Sequence, residues 1–253
     1  MALQGLSASA QTQTLERPLV LVAAGSLKTA MDETIAAYQA QGGPAYNVKY
    51  GPSGKLRKEI EAGAKVDVFA SADIEHTDAL AEQKLLGAST VFTHNDLCVI
   101  ARPELKLSAG NLLDVLSKPS VRLATSTPVS DPMGDYTWQF FKNADKQRAG
   151  LYQLLDGKAL KLSGASTPVV GAKLPYVTAF ENDKTDAYVM YCTNATTTKK
   201  SVPDLHIVRI PDALNVRSVY GIAADAHSTP GKDFVRFVLS PAGQAILKKH
   251  GFD

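Results

Sequence analysis

Ser26 and Ser53 occupy matching places in the chain. Each follows a short apolar run and opens a helix-like pattern: Leu19-Val-Leu-Val-Ala-Ala-Gly-Ser26-Leu27 and Val48-Lys-Tyr-Gly-Pro-Ser53-Gly-Lys-Leu56. At a helix start the first-turn N–H groups lack intrahelical partners, the dipole favours negative charge, and a serine adds a hydroxyl donor. Two such starts facing one cleft could hold an oxyanion. Taken singly, each serine reads first as the cap of its own helix. Lys28, Lys55, Arg57 and Lys58 lie within about a turn of the two serines, where they either steer an anion or form solvated helix faces.

The usual signs of catalysis are weak. Gly51-Pro-Ser-Gly-Lys55 lacks the six-residue glycine spacing of a phosphate-binding loop and the Ser or Thr after its lysine, and Ser53 lacks the second glycine of a nucleophile elbow. His76, His94, His206, His227 and His250 show no His-x-x-x-His or Glu-x-x-His spacing that would hold a metal. His94 and Cys98 share one face of an alternating strand but stand too far apart for a hydrogen-bonded dyad. The expectation is a binding protein rather than an enzyme, with no cofactor.

After the second serine comes Ile60-Glu-Ala-Gly-Ala-Lys-Val-Asp-Val-Phe-Ala-Ser-Ala-Asp73, and the chain closes on Leu239-Ser-Pro-Ala-Gly-Gln-Ala-Ile-Leu-Lys-Lys-His-Gly-Phe252. With Ala24-Gly-Ser26-Leu27 and Pro52-Ser53-Gly54, these segments resemble the periplasmic molybdate-binding proteins of ABC importers, which are type II solute-binding proteins. The resemblance runs from about Pro18 to Phe252, and its specific part is Ile60 to Asp73. It implies a tetrahedral oxyanion, molybdate or tungstate, held by two serine hydroxyls, backbone N–H groups and a tyrosine hydroxyl, then passed to a membrane permease. On that pattern Ser26 and Ser53 match the serines, and Tyr191 in Val189-Met-Tyr-Cys-Thr-Asn-Ala195 matches the tyrosine. Met133 in Pro132-Met-Gly134 and Lys173 match two backbone donors. Methionine and lysine both depart from the family's small or apolar residues. The departures leave open a sulfate-like oxyanion or small carboxylate, bound by a carrier or a sensor. A site made only of donors selects fully ionised, all-acceptor anions over species carrying a proton.

The bulk properties agree with a carrier of small molecules. At 253 residues the chain suits one large domain or two lobes. A net charge of +2 with interspersed signs gives no reason to expect a nucleic-acid or membrane surface, and no stretch approaches the ~18 apolar residues of a membrane span. Met1 to Gln11 ends in a small-x-small run resembling the cleavage end of a secretory signal, with cleavage possible after Ala10. The resemblance therefore implies a periplasmic protein, expected to be a monomer. Cys98 and Cys192 are too few for a disulfide framework, and isolated buried thiols are the favoured reading over a bridge.

The elements that would position the serines alternate. Strands are expected at Arg17 to Val22, Ala45 to Tyr50, Val66 to Ala70 and Leu97 to Ala101, and helices at Leu27 to Gln39, Leu56 to Ala62 and Ile74 to Glu82. This rhythm predicts a largely parallel sheet covered by helices, whose ligands sit at the strand C-terminal ends. A second alternation follows, with strands at Arg122 to Ala124, Asp186 to Tyr191 and Leu205 to Ile210 and a helix at Trp138 to Ala144. Val219 to Ala223 then returns the chain to the first lobe. The fold class is thus a two-lobed α/β protein with a two-strand hinge, each lobe a mostly parallel sheet. Residues 18–101 plus 217–253 form lobe one, residues 102–216 form lobe two, and residues 1–17 are an N-terminal extension. The polar segment Thr193 to Lys200 reads as a surface loop, and its sequon Asn194-Ala-Thr196 as accidental.

Overall fold

A computed structural model describes residues 17–165 and 173–253. The expected export-signal remnant at Met1 to Gln11 lies outside the described residues. The chain runs β1 (Leu19–Ala24), α1 (Lys28–Gln39), β2 (Tyr46–Gly51), α2 (Ser53–Glu61), β3 (Val68–Ser71), α3 (Ile74–Glu82) and β4 (Thr90–Asn95). It continues through β5 (Leu97–Ala101), α4 (Leu112–Leu116), β6 (Leu123–Ser126), α5 (Pro132–Gln147), α6 (Leu151–Lys158), β7 (Leu160–Ser163) and α7 (Pro175–Glu181). The last elements are β8 (Ala187–Tyr191), α8 (Cys192–Ser201), β9 (His206–Arg209), β10 (Ser218–Ala224), α9 (Thr229–Leu239) and α10 (Pro241–Lys249).

These strands form two five-stranded sheets, β2-β1-β3-β10-β4 and β7-β6-β8-β5-β9. In each sheet three strands run parallel, β2-β1-β3 and β7-β6-β8. The remaining pairings, through β10 in the first sheet and β5 in the second, are antiparallel. The parallel character expected of each lobe therefore belongs to the half built from strand-helix-strand units. The antiparallel half is where the chain crosses between sheets.

Alternation explains the layering. Leu19, Leu21 and Ala23 of β1 face the α1 side with Met31 and Ile35, while Val20 and Val22 face Leu56 and Ile60 of α2 and Leu80 of α3. Helices cover both faces of the central strands, so β1 is buried almost throughout. Tyr38 of α1 packs its ring against Phe234 and Phe237 of α9 at 5.7 and 5.0 Å. In the second lobe Phe140 and Phe141 of α5 and Leu155 of α6 are fully buried with Val99, Leu123 and Val189.

The first crossing falls at Asp96, between β4 and β5. Leu97–Ala101, expected in the first lobe, is accordingly a strand of the second sheet, paired with β8 and β9. The return crossing runs beside it: Ser218 stands opposite Asn95, and the Asn215 side chain accepts from Leu97 N–H at 3.1 Å and donates to its carbonyl at 3.3 Å.

Two further expectations are corrected. Cys98 and Cys192 are bonded to each other. Cys98 stands opposite Met190 on antiparallel β5 and β8, and Cys192 is the residue at which the chain leaves β8 for α8, a turn that brings its Cα to 4.9 Å from that of Cys98, within disulfide range. The bridge lies wholly within the second lobe and spans no crossing. Thr193 to Lys200 is helical, not a loop. Its threonines turn their hydroxyls back onto the helix, Thr196 to Cys192, Thr197 to Thr193 and Thr198 to Asn194 carbonyls at 2.8–3.1 Å, while Ala195 and Thr198 pack inward. Asn194, the sequon residue, is buried on that helix.

Candidate functional site

The strand ends of the two sheets meet around one cleft. At the end of β1 the chain tightens into a single 3₁₀ turn, Gly25–Leu27, before α1, and this brings Ser26 to the cavity wall half-buried. Its Oγ lies 2.9 Å from the hydroxyl of Tyr220 on β10. From the opposite lobe Tyr191, last residue of β8, and Asn194 on the first turn of α8 reach the same cavity. Asp131, Met133, Ser163 and Tyr176 complete the polar and adaptable part of the wall, and Ala24, Pro52, Ala72 and Leu174 its apolar part. The cavity measures about 70 Å³, well below the ~300–1,000 Å³ of pockets that take drug-sized ligands. It is scaled to one small ion or acid.

Tyr191 is the most informative side chain. Its hydroxyl is buried and has no hydrogen-bond partner among the described residues. Burial holds its ionisation well above the ordinary tyrosine range, helped by neighbouring Tyr220 and Tyr136. It remains a neutral donor on a residue of the cavity wall, where a bound acceptor would satisfy it. Rings of Tyr220 and Tyr136 flank it at 5.7 and 6.4 Å and fix its position.

Ser53 stands one layer behind the wall. It is the first residue of α2 after Pro52, almost fully buried, and its Oγ accepts from Ala72 N–H at 3.1 Å. That bond commits a lone pair and leaves the hydroxyl proton free to donate. Neither predicted serine accepts a hydrogen bond from its own helix, so the capping reading does not describe them.

The two backbone donors expected from the second lobe are arranged otherwise. Met133 lines the cavity, with its sulfur 3.8 Å from Asn194 Nδ2, but its N–H points to the Oδ1 of Asp131 at 3.2 Å. Lys173 does not line the cavity. It is exposed, and its Nζ pairs with both oxygens of Glu181 at 2.8 and 2.9 Å, while the adjacent Leu174 reaches the wall. Of the flanking cations, Lys28 pairs with Asp32 and Arg57 with Glu61.

The sequence reading passed over several polar contributors. Asp131 had a legible signal, an N-cap aspartate followed by proline at the first helical position. Asn194 was hidden by reading its segment as a loop. Ser163 and Tyr220 sit on strands whose faces only the sheet pairing reveals.

Two mixed sheets, each flanked by helices, joined by paired crossings and enclosing a small polar cavity at their strand ends, define a type II binding-protein architecture. The chain belongs to the bacterial extracellular solute-binding proteins, whose pattern it matches over residues 19–253. It is 33% identical over 211 residues to uncharacterized protein PM1146 of Pasteurella multocida, covering 81% of this chain and 86% of that one. It is 27% identical over 242 residues to the molybdate-binding protein ModA of Mycobacterium tuberculosis H37Rv, covering 93% and 84% respectively. In three dimensions it is similar to the periplasmic molybdate-binding protein of Azotobacter vinelandii, with a TM-score of 0.74, 20% identity and coverage of 93% and 98%.

Proposed function

We propose that this protein captures a small oxyanion in the cleft between its lobes and delivers it to the permease of an ABC importer, working outside the cytoplasmic membrane as a monomer. The observation that carries the reading is the buried Tyr191 hydroxyl without a partner at the wall of a cavity that also receives Ser26. An anion supplies the missing acceptor, and Ser26, the Ser53 proton and the first-turn N–H groups near Gly25 supply further donors. Molybdate and tungstate are brought forward by the resemblance and by the ModA relatives, and a tetrahedral anion suits the cavity's size. Hydrogen bonds to a charged acceptor contribute about 1.5–3 kcal/mol each, so a handful offsets the ordering cost and reaches the ~8 kcal/mol of micromolar binding. Among the described residues no helix is long and apolar enough to cross a membrane.

The test is calorimetric titration with molybdate, tungstate, sulfate, phosphate and small carboxylates, cross-checked by fluorescence of Trp138 on α5. The expected outcome is one-to-one binding at micromolar or tighter affinity for at least one oxyanion. Binding of none would refute the reading.

A further inference from the structure

Tyr220 is fully buried on β10 and does not line the cavity, yet its hydroxyl is bonded to Ser26, which does. Among the described residues the Tyr220 oxygen has two hydrogen-bond partners, Ser26 Oγ at 2.9 Å and Asn95 Nδ2 at 3.4 Å. Asn95 is the buried last residue of β4, immediately before the crossing to the second lobe. The same amide nitrogen donates to Thr193 Oγ1 on α8 at 2.8 Å, so the opposite lobe holds the amide in place. Burial keeps Tyr220 protonated, with one proton to give.

The sense of each bond follows from what each group can do. An amide N–H only donates, so Asn95 occupies a lone pair of the Tyr220 oxygen. Turning the amide over would trade one unpaired atom, its buried Oδ1, for two unpaired N–H protons. The Tyr220 proton then has one acceptor within reach among the described residues, Ser26 Oγ. Were Ser26 to donate instead, a buried tyrosine proton would be left without a partner, the costlier arrangement. Ser26 therefore receives the Tyr220 proton and keeps its own for a ligand in the cavity that it lines. We propose that Asn95 and Tyr220 are positioning residues that commit Ser26 to donating, through a one-way relay from Asn95 N–H to Tyr220 O–H to Ser26 O–H that ends on the bound anion. A serine hydroxyl accepts as readily as it donates, and without the relay its proton is free to turn to another acceptor. Successive bonds of one sense also polarise one another, which makes the terminal proton the better donor. The proposal rests on the oxyanion reading above and names the residues that act through Ser26.

Calorimetric titration of molybdate, sulfate and phosphate into the wild type, Tyr220→Phe, Ser26→Ala and the double variant tests it. Phenylalanine keeps the ring that packs on Phe92, Tyr191 and Phe252 and removes only the hydroxyl. Tyr220→Phe alone should lower affinity for the tightest-bound oxyanion about three- to tenfold, the effect of loosening one donor rather than deleting it. The same change made in Ser26→Ala should cost less than about twofold, because a residue acting through Ser26 has nothing to act on once that hydroxyl is gone. A shift of packing would weaken binding equally in both backgrounds. Asn95→Leu, close in volume and without hydrogen-bonding groups, makes the same comparison from the other end of the relay and decides it alone should Tyr220→Phe not fold. Equal losses with and without the Ser26 hydroxyl, or no loss when that hydroxyl is present, would overturn the relay while leaving the oxyanion reading standing. Binding of none of the three anions by the wild type would overturn both.

Discussion

At the scale of single residues the site is organised around a donor kept waiting. Leaving a buried hydroxyl unpaired costs about 1–3 kcal/mol in the unliganded protein, and Tyr191 bears that cost at the cavity wall. Tyr191→Phe removes the unpaired group without changing the ring's packing against Tyr136 and Tyr220. The prediction is two-sided: unliganded stability unchanged or raised by about 1 kcal/mol, and anion affinity lowered about 10- to 100-fold, the worth of one charge-assisted bond. Denaturant unfolding and calorimetry on the same preparation check it, and a variant that loses stability but binds normally would make Tyr191 a packing residue. The family resemblance singled this residue out through Val189-Met-Tyr-Cys-Thr-Asn-Ala195, and the structure places it on the cavity wall. Lys173 and Met133 were less so. Their placement depends on side chains distant in sequence, Glu181 for the lysine and Asp131 for the methionine amide, and spacing alone does not report which partner an N–H has found.

At the scale of elements, most strands and helices with strong apolar period were readable to within a residue or two, while α2 and α5 begin earlier than expected, at Ser53 and Pro132. Ile74–Glu82 and Leu97–Ala101 emerge with the expected bounds. The first shows apolar Ile74 and Leu80 around an aspartate cap, and the second is an uninterrupted apolar run. What escaped was context. The threonines of α8 have poor helical propensity, and tertiary burial of Ala195 and Thr198 overrides it. The cysteine pairing depends on which strands are neighbours, and β8 beside β5 is a non-local choice. Packing of α2 on α3 also hides a titration. His76 lies with its Nδ1 3.5 Å from Arg57 Nη1 and its Nε2 buried without a partner among the described residues, and burial followed by the Arg57 charge lowers its pKa to about 4 from 6.5. A depressed histidine pKa means the fold prefers the neutral ring. The associated stability is complete above pH 6.5 and is lost as pH falls towards 4, amounting to about 2–3 kcal/mol by pH 4.5. Urea unfolding at pH 7.5 and 4.5 should therefore show a larger acid loss in the wild type than in His76→Gln. Equal losses would show that the ring titrates normally.

At the scale of the whole molecule the two lobes are hinged on one side and in contact on the other. The hinge is narrow, a single residue at Asp96 on one strand and a return segment tied to Leu97 by the Asn215 side chain on the other. The disulfide leaves it free, since Cys98 and Cys192 both belong to the second sheet and the helix that follows β8. Across the cleft the start of α2 abuts the loop before α5. A Cβ on Gly54 would fall 2.4 Å from the carbonyl oxygen of Val129 and 3.0 Å from that of Ser130. Val129 itself holds a left-handed φ of 68°, an unusual conformation for a β-branched residue, with its N–H donated to Asp135 at 2.8 Å. That loop has little freedom to retreat, so Gly54 is the residue that lets the lobes meet. Gly54→Ala should leave each lobe intact, because alanine suits a helical position and offsets up to about 1 kcal/mol of chain entropy. It should nonetheless hold the cleft open by the width of a methyl group. The expected outcome is a near-normal melting temperature, anion affinity lowered at least tenfold, and a radius of gyration by small-angle scattering that no longer contracts when ligand is added. Contraction and affinity matching the wild type would show that the contact yields freely, and closure would then have to be ascribed to the hinge alone.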